Sequence, residues 1–208
     1  MDKNWLAFWN DRYREKEFAY GTQPNEYFKQ CLEQTSGSGA ILMGSEGEGR
    51  NAVYAAKQGW DVSAYDISEE GYKKAQRLAE EYQVRLDYRV GELPDLDFLP
   101  EAFDAAALIY AHIPPHLRMD YHRLIDSYLK PGGYLLFEAY SKSHLAYRGK
   151  NGQVGGPGKL EMLFSVAEIQ SYFPNYKYLE LEERVVELSE GNRHQGLGSV
   201  IRFFGQKK

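Results

Sequence analysis

Residues 45–51 read Ser-Glu-Gly-Glu-Gly-Arg-Asn. Glycines 47 and 49 allow a ligand to approach the backbone more closely than a side chain would permit. The apolar run AILMG (40–44) predicts a buried strand leading into this turn, and Ala52, Val53, Ala55 and Ala56 predict a helix leaving it. Such a strand–turn–helix aims backbone N–H groups and the positive helix end at a ligand. The next strand ends in Asp66, 17 residues after Gly49. A carboxylate there can accept hydrogen bonds from both hydroxyls of a ribose. The combination is one that holds a nucleotide-like cofactor.

GEGRNA (47–52) also satisfies the G-x-G-x-x-A form of a dinucleotide fingerprint. Two features oppose NAD. Glu46 and Glu48 would repel a pyrophosphate, whereas they suit the sulfonium and ammonium groups of S-adenosylmethionine (SAM). A dinucleotide fold also needs a second mononucleotide half, which the C-terminal pattern does not supply.

A second set of chemistry-bearing residues lies further on. His112 follows a predicted fourth strand, in AHIPPH, at the edge where parallel sheets bind ligands. Glu138, at the end of a fifth strand, and His194, in NRHQG, are candidate substrate contacts. His116 and His122 read as surface groups. Histidines 112, 116 and 122 do not share a helical face, and Pro114-Pro115 interrupts them, so no metal site is expected. Trp9 and Tyr13 can offer ring faces to a sulfonium, although their helical spacing favours packing. Lys142, Arg148, Lys150 and Lys159 are basic groups suited either to an anionic substrate or to solvent.

The elements that must position these residues follow from periodicity. Trp5, Phe8, Trp9, Arg12 and Tyr13 give an N-terminal amphipathic helix. Pro24 opens a second helix carrying Tyr27, Phe28 and Cys31. Strand and helix then alternate: strands at 40–44, 61–66, 84–90, 104–113 and 134–140, helices after Gly49, from Ser68 and over 117–128. That alternation predicts a parallel α/β sheet with right-handed crossovers. Residues 141–160 hold five glycines and read as a flexible loop. A helix near 166–173 and two antiparallel strands, 176–188 and 197–205, close the chain.

The chain of 208 residues fits a single domain, 1–208, with residues 1–35 as a helical lid. A net charge of -5 argues against nucleic acid as a partner. Cys31 is the single cysteine, which excludes a disulfide framework and a Cys-rich zinc site. There is no run of 18 apolar residues, and MDKNWLAFWNDRYREK is too charged for a signal peptide. A cytoplasmic protein with no membrane contact, monomeric or homodimeric, is expected.

AILMGSEGEGRNAVYAAKQGWDVSAYDIS resembles the first two motifs of class I SAM-dependent methyltransferases. EAFDAAALIY, HIPPHLR and LKPGGYLLFEAY follow in the same order. The nearest likeness is to small bacterial enzymes of the tellurite-resistance and thiopurine methyltransferase group, through the aromatic first helix, the YGxxPN segment and EGEGRN. The resemblance implies a Rossmann-like, seven-stranded, mostly parallel sheet of order 3-2-1-4-5-7-6, strand 7 antiparallel, with helices on both faces. It implies SAM as cofactor, S-adenosylhomocysteine as product and a small-molecule acceptor, such as a thiol or other soft nucleophile. Its implied cofactor contacts are Ser45, Glu46, Gly47, Gly49, Asn51, Asp66, Ile67, Glu92, Leu93 and Tyr110. It implies Tyr20 at the cofactor's methionine end and His112 near the transferred methyl; for an oxygen or nitrogen acceptor, which needs a base, His112 or His194 is the catalytic candidate. Met43 stands where this family usually has an acid, which leaves Glu46 or Glu48 for the cofactor's ammonium. Two other readings remain open: a non-catalytic SAM-binding protein and a nicotinamide-dependent oxidoreductase.

Overall fold

The computed structural model describes residues 2–35, 37–149 and 151–208. Lys150, named above among the basic groups, lies outside the described residues.

Seven strands form one sheet: β1 (Ala40–Gly44), β2 (Asp61–Asp66), β3 (Asp87–Val90), β4 (Phe103–Ile109), β5 (Leu129–Tyr140), β6 (Tyr176–Glu190) and β7 (His194–Lys207). Their order is β3-β2-β1-β4-β5-β7-β6. β1 to β5 run parallel, and β7 is antiparallel to both β5 and β6. Period-two burial splits the core. Ile41 and Met43 join Ala105 and Ala107 in one apolar layer, and Leu42 joins Ala106 and Leu108 in the other. Helices cover both layers: α1 (Lys3–Arg14), α2 (Glu26–Glu33), α3 (Arg50–Lys57), α4 (Glu69–Glu81), α5 (Arg118–Tyr128), α6 (Leu145–Arg148) and α7 (Val166–Tyr172). No helix among the described residues is long and apolar enough to cross a membrane.

Several elements depart from expectation. Helix α2 is opened by Asn25, whose Oδ1 accepts from the Phe28 N–H at 2.8 Å, and not by Pro24. Strand β4 stops at Ile109 because Tyr110 takes φ 53°. β3 shortens to four residues at the sheet edge. Helix α5 packs Ile125, Tyr128, Tyr121 and Leu124 against the core, the apolar stripe its spacing gives, and also buries Arg118 and His122. The Arg118 guanidinium lies 4.0 Å over the Phe164 ring and donates to the Ile113 and Leu163 carbonyls.

Residues 141–160 are not an irregular loop. Besides α6 they form short 3₁₀ turns at Lys142–His144 and Gly152–Val154. Val154 is fully buried, and its carbonyl accepts from the Tyr140 hydroxyl at 2.8 Å. Glycines supply the bends between turns: Gly155 and Gly156 have φ 79° and 76°.

Candidate cofactor turn and aromatic chamber

The turn after β1 is built from its own acids. Ser45 (φ 51°), Gly47 (φ 61°) and Gly49 (φ 87°) are left-handed. Asp66, at the end of β2, is buried; Oδ2 accepts from the Gly47 N–H and Oδ1 from the Ser68 N–H, both at 2.9 Å. Burial pushes its carboxyl up to about 6 against those backbone donors. Glu46 Oε1 accepts from the N–H groups of Asn51 and Ala52, at 3.0 and 2.8 Å. Burial raises that carboxyl to about 7. The start of α3 is therefore closed by Glu46 and does not present free N–H groups to a phosphate.

The second acid of the turn has another duty. Glu48 Oε1 pairs with Lys74 Nζ at 2.7 Å, and Oε2 accepts from the Ala19 N–H at 2.8 Å. It fastens the segment after α1 to α4 and is no longer a candidate for the ammonium. Gly49 is small for packing: a Cβ there would stand 2.6 Å from the Ala75 Cβ of α4. A Cβ on Gly47 would stand 2.5 Å from the Tyr13 hydroxyl of α1. Tyr88 of β3, which the sequence reading passed over, donates its hydroxyl to the Gly47 carbonyl at 2.7 Å.

The remaining cofactor candidates surround this turn less tightly. Asn51 is buried, and its Oδ1 accepts from the Asn25 N–H at 2.8 Å. Ile67 and Glu92 are partly buried at the ends of β2 and β3. Leu93 is fully buried among Leu42, Tyr65 and Phe98. Its side chain packs into the core just beyond the end of β3.

A chamber of rings lies over the carboxyl ends of β4 and β5. Trp9 of α1 stacks on His112 (5.9 Å, 15°), and His112 on Tyr140 (6.4 Å, 8°). His194 packs against Tyr20 at 4.5 Å, Tyr110 at 4.7 Å and Tyr140 at 5.4 Å. Arg12 covers Phe8 and Trp9 and donates to the Tyr20 hydroxyl at 2.8 Å. The three residues singled out in the sequence, Tyr20, His112 and His194, thus come together. Tyr110 adds a left-handed backbone and a buried hydroxyl that has no hydrogen-bond partner among the described residues. Two non-glycine residues in that conformation, Ser45 and Tyr110, end the adjacent strands β1 and β4. Backbone strain of this kind collects where ligands are held.

Charge around the chamber is neutralised from within. Glu138 of β5 pairs with Arg202 at 2.6 Å, and Glu190 with Arg50 at 3.0 Å. Asn25 bridges both acids through Nδ2, at 2.8 and 2.9 Å. Asn25 and Glu190 were not singled out in the sequence; the only local sign of Asn25 was its place in the PNEYF segment. Burial pushes His112 down to about 3, aided by His194 and Arg12. His122 is no surface group: it is 1% exposed among Tyr172, Phe173 and Phe164, and burial pushes it to about 3. His116 is exposed, as are Lys142, Arg148 and Lys159. Among the described residues no group of three His, Cys, Asp or Glu side chains is placed to hold a metal ion. An open cleft lined by Arg118, Lys142, Glu168 and Tyr172 shares no residue with the turn or the chamber. The chamber itself is covered by α1.

An acidic turn whose helix is capped by Glu46, a buried acid ending β2 and an antiparallel β7 that closes the sheet are the features on which the chain compares with known proteins. Residues 41–133, from β1 into β5, match a family model described as a methyltransferase domain. The fold is similar to several solved structures. One, from work on the conversion of a disulfide bond into a thioacetal group during echinomycin biosynthesis, is 15% identical with a TM-score of 0.77, over 98% of this chain and 92% of that one. TehB from Haemophilus influenzae is 17% identical with a TM-score of 0.70, over 98% and 67%. The 1,6-didemethyltoxoflavin-N1-methyltransferase of Burkholderia thailandensis, solved with 1,6-didemethyltoxoflavin and S-adenosylhomocysteine, is 18% identical with a TM-score of 0.62, over 88% and 76%. Sequence comparison with curated proteins finds no match.

Proposed function

We propose that the protein methylates a small-molecule acceptor held in the ring-lined chamber, with SAM lying across the carboxyl ends of β1, β2 and β3. The observation that carries this reading is a pair of carboxylates at the turn without an ion-pair partner among the described residues, buried Asp66 and partly buried Glu46. Burial raises both against their backbone donors, and carboxyls so held gain from a cationic ligand. Asp66 is placed for the ribose hydroxyls. Glu46 keeps one oxygen, Oε2, for the ammonium. Ser45, Gly47 and Gly49 shape the turn beneath, Asn51 steadies it, and Ile67 and Glu92 flank the adenine side.

Bound SAM supplies a methyl on a sulfonium, a leaving group that needs no proton. The chain's part is alignment and exclusion of water. Trp9, His112, Tyr20, Tyr110 and Tyr140 form walls suited to a flat acceptor, and holding two reactants in line contributes on the order of 7–11 kcal/mol. The relative that binds a toxoflavin precursor is consistent with an acceptor of that shape. A thiol or other soft nucleophile would need nothing beyond alignment. Helix α1, with Phe8 45% exposed and Tyr13 alone fully buried, is held lightly enough to act as the cover that opens for both ligands.

Calorimetric titration with S-adenosylhomocysteine, with NAD in parallel, tests the reading. Binding of the first and not the second is expected. NAD binding alone would overturn it.

A further inference from the structure

We propose that Glu190 and His194 act as an oriented pair, Glu190 positioning the ring and His194 Nε2 taking a proton from the acceptor, so that the acceptor is methylated at an N–H or O–H atom. This rests on the methyl-transfer reading and narrows it from any nucleophile to one attacking through a nitrogen or oxygen that carries a proton.

The β6–β7 hairpin places both groups. Glu190 ends β6 and His194 opens β7, and Nδ1 lies 2.8 Å from Glu190 Oε2. A carboxylate can only accept, so Nδ1 carries the proton and Nε2 is left as the basic nitrogen. Nε2 makes no hydrogen bond among the described residues, and the ring faces Tyr20, Tyr110 and Tyr140. Glu190 is held from two further elements, by Arg50 of α3 at 3.0 Å and by Asn25 at 2.9 Å. Against the cost of burial, Arg50 and the His194 ring hold its carboxyl down to about 2.

The other buried histidines lack this arrangement. Both nitrogens of His144 are occupied, by the Gly155 carbonyl and the Ser199 N–H. His122 sits in an aromatic cage, and His112 is stacked between rings with no carboxylate behind it. Glu190, for its part, is already neutralised by Arg50, so satisfying its charge does not require the histidine.

His194 receives the proton while the acceptor atom forms its bond to the methyl carbon. The methyl–sulfur electron pair stays on sulfur as the neutral thioether. One positive charge thereby moves from sulfur to the imidazole, and Glu190 is in place to stabilise it. The groups that set the imidazole's proton affinity are Glu190, which raises it, burial, which lowers it, and the cations Arg50 and Arg12; His112 and His144 lie close enough to be influenced by it.

The test has two arms on the full chain with S-adenosylhomocysteine bound. Nitrogen-15 NMR of histidine-labelled protein should show His194 neutral at pH 7 as the Nδ1–H tautomer. Glu190→Gln should lower the pH at which it protonates. An imidazolium, or the Nε2–H tautomer, would overturn the proposal. In the second arm SAM is supplied with a phenol, a heteroaromatic N–H compound and an alkyl thiol as probes. Turnover of the phenol or of the heteroaromatic N–H compound is expected to fall about 100-fold or more in kcat in His194→Gln, with KM little changed. Glu190→Gln should also lower kcat and move the acid limb of its pH profile downward, and Glu190→Asp should restore part of it. Turnover of the thiol alone, of no probe, or undiminished turnover in His194→Gln overturns the proposal while S-adenosylhomocysteine affinity persists. Loss of that affinity in the unaltered protein overturns the methyltransferase reading instead.

Discussion

The two halves of the sheet's carboxyl edge treat their acids in opposite ways. Around β1 and β2, Asp66 and Glu46 are held by backbone N–H groups and have no cationic side chain in ion-pair contact among the described residues. Around β5 and the β6–β7 hairpin, Glu138 and Glu190 are each closed by an arginine and bridged by Asn25. The first half leaves negative charge to be met by a ligand. The second settles its charges internally and shows the chamber rings and imidazoles. A cationic cofactor and an acceptor that has to be desolvated need that division.

The largest effect expected from breaking this contrast lies in the second half. Arg202→Ala leaves Glu138, 1% exposed, as an uncompensated buried charge. A loss of about 3–5 kcal/mol of folding stability is expected in denaturant titration. Arg202→Ala with Glu138→Gln should recover much of it. If the single variant were as stable as the parent, Glu138 would be neutral in the folded protein and the contrast would fail.

In the first half the expected loss is in binding. Asp66→Ala should weaken S-adenosylhomocysteine by about 2–3 kcal/mol, or roughly 30–150-fold, as two hydrogen bonds to a charged acceptor disappear. Calorimetry reads it directly. Affinity within twofold of the parent would remove Asp66 from the site.

The first half was also the legible one. AILMG, SEGEGRN and the strand ending in Asp66 are local signals, each read from a few neighbouring residues, and the strand bounds 40–44 and 61–66 are those observed. The seven-strand order followed from the resemblance and matches the sheet. The second half is assembled from distant segments: Asn25 reaches Glu138 and Glu190 across 113 and 165 residues. No periodicity encodes such a meeting, so Asn25 and Glu190 went unread. His122 was misplaced for a related reason, because a polar residue on a helix gives no sign that rings from α7 will enclose it. Within the turn the chemistry of the residues was read while their duties were not. Glu48 resembles Glu46 in sequence, yet Lys74 and Ala19 claim it.

The pH dependence of stability separates the halves in sign. Asp66 and Glu46 have folded-state values raised to about 6 and about 7, so the folded chain binds more protons than the unfolded one between roughly pH 4 and 7. Their contribution weakens as pH rises through that window. Glu190 is lowered to about 2, so its contribution is present above the unfolded carboxylate value and is lost as pH falls toward 2. The buried imidazoles oppose the acids: His112 and His122, held at about 3, give stability above the unfolded histidine value near 6.5 that is lost as pH falls below it. The part due to Glu46 is isolated by comparison with Glu46→Gln. The parent's melting temperature should gain a few degrees on that variant's from pH 7.5 to 5.5, on a scale of about 2–4 °C per kcal/mol. A difference that does not change with pH would contradict the unpaired state of Glu46.

The smallest effect distinguishes the two glutamates of the turn. Glu46→Gln keeps an oxygen that can accept from the Asn51 and Ala52 N–H groups, so the start of α3 stays capped and stability changes by less than about 1 kcal/mol. The negative charge goes, and with it a charge-assisted bond to the ligand's ammonium. Affinity for S-adenosylhomocysteine should fall by about 1 kcal/mol, roughly fivefold. Glu48→Gln should do the reverse. Its partner Lys74 is 7% exposed, so the buried amine loses its counter-charge and the protein loses stability, while ligand affinity stays near the parent's. Should Glu48→Gln be the variant that weakens binding, the ammonium site belongs on the α4 side of the turn. Lys74 would then have to release Glu48 when the ligand arrives, and the turn's acids would be sorted by the ligand and not by the fold.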